Sequence, residues 1–287
     1  MLLATVFLWA LNLSVTRYIL QHGLAPLSYA TVRYGLAAVI FVGMALVSER
    51  TLRVRRRDLP LLGLAAVTLW LNQLSFVFAL HATTASTIGL VLGAIPIFAA
   101  FFGLLLGTER PTSRFWGAAA ISFVGVALVA AGSSGGHSTN LLGIVLGLCT
   151  AATWAAYSVT VAPLMRTYSP TRMSAVVVPA TWLLLATSGV QQTSTQDWHV
   201  GWQVWPLLLL ATIGPLVLTN VLWFRSIHRI GANRATLAAN LQPFVAAVLA
   251  VALLSESIGA LQVLGGVLIA LGLVVVRRRP QPAPQAA

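Results

Sequence analysis

Apolar residues along this chain come in blocks rather than by alternation. Ten apolar runs, at 2–20, 28–48, 59–80, 84–107, 115–132, 141–163, 172–190, 204–226, 233–254 and 259–276, are separated by short breaks containing Gly, Pro, Ser and Arg. At a rise of about 1.5 Å per residue, a run of about 20 residues spans the roughly 30 Å hydrocarbon core of a bilayer. The runs are apolar throughout, which predicts helices, because a lipid-facing barrel strand reads apolar and polar by turns. The chain is therefore expected to be an all-α membrane protein of ten transmembrane helices. Its end, "RRRPQPAPQAA", is polar and rich in Pro and is expected to form a disordered cytoplasmic tail over 277–287. No basic residue precedes the first run and no cleavage site opens onto a polar domain, so that run reads as a retained helix.

Composition agrees with lipid as the solvent: 58% of residues are hydrophobic and 8% charged, against about 25% charged in soluble domains. The net charge of +12 comes from seventeen basic residues. All are arginines, and all except Arg17 and Arg33 fall in or beside alternate loops and the C-terminal tail. The positive-inside rule makes those loops cytoplasmic and places both termini inside. Scattered over separate loops without interleaved aromatics, the arginines give no nucleic-acid surface. Cys149 is the only cysteine and lies in an apolar run, and the five histidines sit in loops or at helix ends without ligand spacing. Neither a metal nor another cofactor is implied.

Two stretches share one pattern: "AIPIFAAFFGLLLGTE" (94–109) and "NLQPFVAAVLAVALLSE" (240–256) each place a glutamate thirteen positions after a proline. Pro96 and Glu109 map onto Pro243 and Glu256 at an offset of 147, and so do His81 onto His228, Gln73 onto Asn220 and Gly125 onto Gly272. "LWALN" (8–12) faces "TWAAY" (153–157) at an offset of 145. The chain thus divides into halves at 1–132 and 141–276, with 133–140 as an exterior connector. An odd number of crossings per half inverts the second half, the arrangement by which inverted repeats give alternating access around a midplane site. A proline in mid-membrane removes a backbone hydrogen bond, and loosened backbone is tolerated only against protein or a wet cavity. Pro96 and Pro243 are therefore read as facing a pathway, with a packing kink as the alternative. Glu109, Glu256 and His81, at helix ends, are read as gates or anchors.

The duplicated Pro and Glu pattern is followed by "RPTSRFWGAAAISFVGVALV" in one half and "SIGALQVLGGVLIALGLVVV" in the other. With the Trp and polar residue in the first helix of each half and "PLSYATVRYGLAA" in the second run, it resembles the EamA-type repeat of the drug/metabolite transporter superfamily over about 5–277. The resemblance implies a ten-helix exporter-like fold whose central cavity is lined by spans one to four and six to nine, with spans five and ten peripheral. It implies movement of amino acids, other metabolites or drugs, commonly outward. Arginine is frequent in such proteins at the position of Arg33, whereas the second half has Val177 there. No subfamily motif identifies a substrate.

Polar side chains inside lipid tend to face the bundle interior. Those near mid-depth are Asn12, Asn72, Gln73, Tyr157, Asn220, Asn240 and Gln242, a set suited to a neutral or zwitterionic small-molecule substrate; amide bonding between helices is the alternative. Trp9 and Trp154 are candidate cavity walls, while Trp198, Trp202 and Trp205 read as an interfacial belt at the outside. Arg33 either snorkels to the headgroups or turns inward, to a substrate carboxylate or a helix carbonyl. Gly265, Gly266 and Gly272 permit a close helix contact, including one between two protomers of a homodimer. The leading reading is a secondary transporter in the bacterial cytoplasmic membrane exporting small organic metabolites such as amino acids, with a multidrug or cationic-compound exporter as runner-up. An intramembrane enzyme would need a catalytic constellation at depth, and no Asp or Glu lies mid-span. A receptor without transport is the third reading.

Overall fold

The structure, a computed structural model, describes residues 1–105, 113–132, 141–230, 239 and 241–277; for 113–115, 224, 227–230, 273, 276 and 277 only the backbone is described. Glu109, Asn240, the connector at 133–140 and the tail from 278 lie outside the described residues.

Among the described residues there is no strand. The helices are α1 (Leu2–Gln21), α2 (Pro26–Glu49), α3 (Leu59–Ala82), α4 (Ala85–Val91), α5 (Ile95–Leu105) and α6 (Ser113–Gly132). They continue as α7 (Leu141–Val161), α8 (Pro170–Ser188), α9 (Val190–Thr195), α10 (Val204–Thr212), α11 (Thr219–Ile230), α12 (Gln242–Leu254) and α13 (Ala260–Arg277). Among the described residues six helical stretches are long and apolar enough to cross a membrane, and three more, Trp116–Gly132, Gln242–Leu254 and Ala260–Gly272, are apolar but shorter. Large apolar side chains such as Val39, Val47, Leu142 and Val248 point outward, as a hydrocarbon solvent allows.

Proline marks helix starts at α2, α3, α8 and α12, where its missing N–H is not needed. Mid-span its effect varies: Pro179 is carried inside α8, whereas Pro96 and Pro215 interrupt their runs. The fourth predicted run is two helices, α4 and α5, joined by a 3₁₀ turn at Leu92–Ala94. Pro96 cannot donate to the Leu92 carbonyl, which instead accepts the N–H of Ile95. The eighth run is also irregular: Ile213–Leu218, containing Pro215, is a π-helical segment between α10 and α11, a feature the hydropathy pattern does not announce.

The helices pair in a definite way. α2 packs along α8, α6 along α13, and α12 against both α4 and α1. α3 lies on α7 and also on α8; α1 lies on α10 and α11; α10 lies on α2; α7 lies on α4 and α5. The α6 and α13 contact depends on glycine, since a Cβ at Gly125 would stand 2.6 Å from the Gly265 carbonyl oxygen. The small residues of the last span are thus engaged within the chain: Gly265 and Gly272 against α6, and Gly266 against Leu90 of α4.

Candidate functional site

Arg33 is the one charged residue counted as buried among the described residues, at 4% exposure. It turns inward. Its guanidinium lies 5.7 Å from the centre of the Tyr29 ring, and its Nε donates to the carbonyl of Ala211 at 3.3 Å. That carbonyl has a reason to need a donor. Four residues on stands Pro215, which has no N–H to return to it, and the backbone widens beyond it so that Thr219 N–H reaches Gly214. Arg33 therefore supplies across 178 residues of sequence the hydrogen bond a proline withholds. Of the alternatives drawn from the sequence, the helix carbonyl is the one this structure contains.

Mid-depth on α3, Asn72 and Gln73 form a relay. Asn72 Nδ2 donates to the Thr150 carbonyl on α7 at 2.9 Å, and Gln73 Nε2 donates to Asn72 Oδ1 at 2.9 Å. Gln73 Oε1 is buried without a partner, and so is Asn12 Oδ1 on α1. The repeat mate of Gln73, Asn220 on α11, donates instead to Ser174 Oγ on α8 at 3.1 Å.

The tryptophans on the first helix of each half differ in what they touch. Trp9 Nε1 donates to Thr219 Oγ1 at 3.1 Å, and that hydroxyl in turn donates a hydrogen bond to the Pro215 carbonyl at 2.6 Å. The Trp9 and Trp223 rings lie 5.2 Å apart. Trp154 packs within its own helix on Tyr157, with ring centres 5.6 Å apart. Thr150, Ser174, Pro215 and Thr219 are participants the sequence reading did not single out. Pro215 in an apolar run was the available signal.

Pro243 meets the fourth predicted run where α4 and its 3₁₀ turn cross α12. A Cβ on Gly93 would come 3.5 Å from Pro243 Cγ, and one on Gly89 would come 2.8 Å from Ala246 Cβ. Glycine is what lets the broken fourth run approach α12. Gln242 is half-buried one position ahead of Pro243.

Charges collect at both ends of the bundle. At one end, the Glu256 carboxylate accepts the backbone N–H groups of Ala85 and Ser86, each at 2.9 Å, capping the open N-terminus of α4. Arg17 donates to the carbonyls of Leu80 and His81 at the end of α3 and interacts electrostatically with Glu256. The His81 ring itself is exposed. Gln196 and Gln192 accept the N–H groups of Ala25 and Leu27, where α2 begins. At the opposite end, Glu49 takes Arg172 Nη2 at 2.6 Å and the Ser169 hydroxyl, while Tyr168 donates to Asp58 at 2.6 Å.

Among the described residues no three of His, Cys, Asp and Glu converge as metal ligands. An apolar groove of about 700 Å³ lies between α3 and α7, lined by Leu71, Leu74, Phe78, Leu142 and Leu146 with His81 at its lip. Except for His81, the polar residues above do not line it, so it is separate from the mid-depth set.

Comparison with known proteins converges on one family. The model of the EamA-like transporter family matches residues 1–131 and 141–278. The uncharacterized transporter YwfM of Bacillus subtilis (strain 168) is 27% identical over 271 residues, covering 91% of this chain and 88% of that protein. A crystal structure of a protein 18% identical in sequence superposes with a TM-score of 0.65 over 96% of this chain and 94% of its own, a likeness of fold. A multi-pass, all-helical chain matched by one family model over nearly its whole length, this protein belongs to the EamA-like transporter family.

Proposed function

We propose that this chain is a secondary transporter that exports small organic metabolites such as amino acids, by alternating access between two inverted five-helix halves. The observation that carries the reading is how the helices pair. Let each predicted run of the first half exchange with its mate in the second. Then α3 on α7 becomes α10 and α11 on α1; α1 on α12 becomes α7 on α4 and α5; α3 on α8 becomes α10 on α2. The pairs α2 with α8, α4 with α12 and α6 with α13 map onto themselves. Each of these contacts finds its counterpart, whereas those of α1 with α3 and of α4 with α6 have none of similar extent among the described residues. This is the behaviour of two bundles related by a pseudo-twofold axis, and the family match falls on the same two segments. In this reading 1–132 and 141–276 are the repeats, joined by an exterior connector at 133–140, with both termini cytoplasmic.

The substrate class follows from the polar set. Asn12, Asn72, Gln73, Tyr157 and Asn220 are uncharged, and no Asp or Glu lies mid-span. A neutral or zwitterionic solute needs no fixed counter-charge at depth, whereas an isolated organic cation would be desolvated without one. Amino acids are therefore favoured over cationic drugs. Purified protein in vesicles, tested with labelled amino acids and cationic dyes, decides the matter. Flux of amino acids is expected; flux of cations alone would reverse the preference, and flux of neither would leave a non-transporting role.

A further inference from the structure

The Asn72 and Gln73 relay has a direction, and the direction is fixed at its base. The Thr150 backbone carbonyl can only accept, so the Asn72 amide must present Nδ2 to it. Asn72 Oδ1 is then the end facing Gln73, and Gln73 must present Nε2. Turning either amide over would set two oxygens against each other. What remains at the far end of the relay is Gln73 Oε1, an acceptor on a side chain 7% exposed, without a donor. An unpaired acceptor in a low-dielectric interior is costly and persists where something that comes and goes supplies the proton. A second buried acceptor without a donor, Asn12 Oδ1, sits on α1, which packs against α3.

Resting on the transport reading above, we infer that Gln73 Oε1 is a substrate-binding acceptor that takes an N–H from the amino group of the transported solute. An ammonium offers three donors and a hydroxyl one. Two unpartnered acceptors on adjacent helices suit the former. Because no acid lies mid-span, the ammonium's counter-charge comes from the solute's own carboxylate. The site thus selects zwitterions and discriminates against the same carbon skeleton lacking the amine.

The test uses full-length protein in proteoliposomes and labelled alanine, leucine and phenylalanine, with propanoate, 4-methylpentanoate and 3-phenylpropanoate as unlabelled competitors beside the parent amino acids. For wild type, each deamino analogue is expected to inhibit roughly tenfold more weakly than its parent, the scale of one lost hydrogen bond. Gln73→Met, which removes the acceptor, should close most of that gap. An unchanged gap in Gln73→Met overturns the assignment while leaving transport intact. Absence of amino-acid flux in wild type overturns instead the reading on which it rests. Thermal unfolding guards against a structural role: Gln73→Met exchanges one unpaired oxygen for another, so Tm should stay within about 2 °C. A fall of more than about 5 °C would mean that the Gln73 amide serves to hold the fold together and would also overturn the inference.

Discussion

A buried arginine facing a carbonyl is a costly choice unless the carbonyl has no other donor, and Pro215 removes the one Ala211 would ordinarily use. Arg33 and Pro215 are then two parts of a single feature: the proline opens the helix into a π-turn, and the guanidinium holds the opened strand of backbone against α2. The coupling is measurable. Arg33→Gln is expected to lower the stability of the detergent-solubilised protein by about 1.5–3 kcal/mol, the range for a hydrogen bond with a charged partner. In a Pro215→Ala background, where a backbone N–H is restored to the Ala211 carbonyl, the same change should cost less than half as much. Additive losses would separate the two residues. Arg33→Lys keeps the charge without the planar Nε–H and should behave nearer to Gln than to wild type.

The repeated proline and glutamate do different work at the level of the helix. Pro96 divides its run into α4 and α5, and Glu256 seals the start of α4 from the other half of the chain, 171 residues from Ala85. Two charge-assisted bonds at a helix N-terminus oppose fraying of the first turn. Glu256→Ala should speed hydrogen exchange in the peptide covering 85–91, consistent with the loss of about 0.5–2 kcal/mol for a cap, and Glu256→Gln should lie between Ala and wild type. Unaltered exchange in both variants would remove the capping role. The break at Pro96 was legible in the sequence because proline's missing N–H acts locally. So was the set of polar residues, because an amide within an apolar run stands out. The partners were not legible. Nothing near Glu256 in sequence points to Ala85, nothing near Arg33 points to Ala211, and the amide order that leaves Gln73 with a free acceptor depends on a carbonyl of α7. The glycines of α13 show the same limit: their spacing announced a close contact, while only the fold assigns it to α6 rather than to a second protomer.

The molecule as a whole has two unlike ends, and the difference is electrostatic. The end of the bundle where α2 finishes carries Arg50, Arg53, Arg55, Arg56 and Arg57 beside the Glu49–Arg172 pair, while the end where α2 begins carries exposed Trp198, Trp202 and Trp205 and the Arg17–Glu256 group. Trp198 and Trp205 stack at 6.3 Å, as amphipathic rings do at a headgroup layer. α2 and the α8–α9 stretch, one from each half, are tied at both ends, by Gln192 of α9 and Gln196 just beyond it at the first and by Glu49 and Arg172 at the second. They are therefore expected to travel as one body in any rocking motion, with rearrangement concentrated at the broken helices. Inward placement of the arginine-rich end follows from the positive-inside rule and is open to direct measurement. With Cys149 replaced, Thr51→Cys in the loop after α2 and Gln203→Cys in the loop before α10 sit at opposite ends. A membrane-impermeant maleimide applied to intact cells should modify Gln203→Cys and reach Thr51→Cys only after permeabilisation. The reverse pattern would invert the molecule in the membrane and overturn the placement of both termini in the cytoplasm.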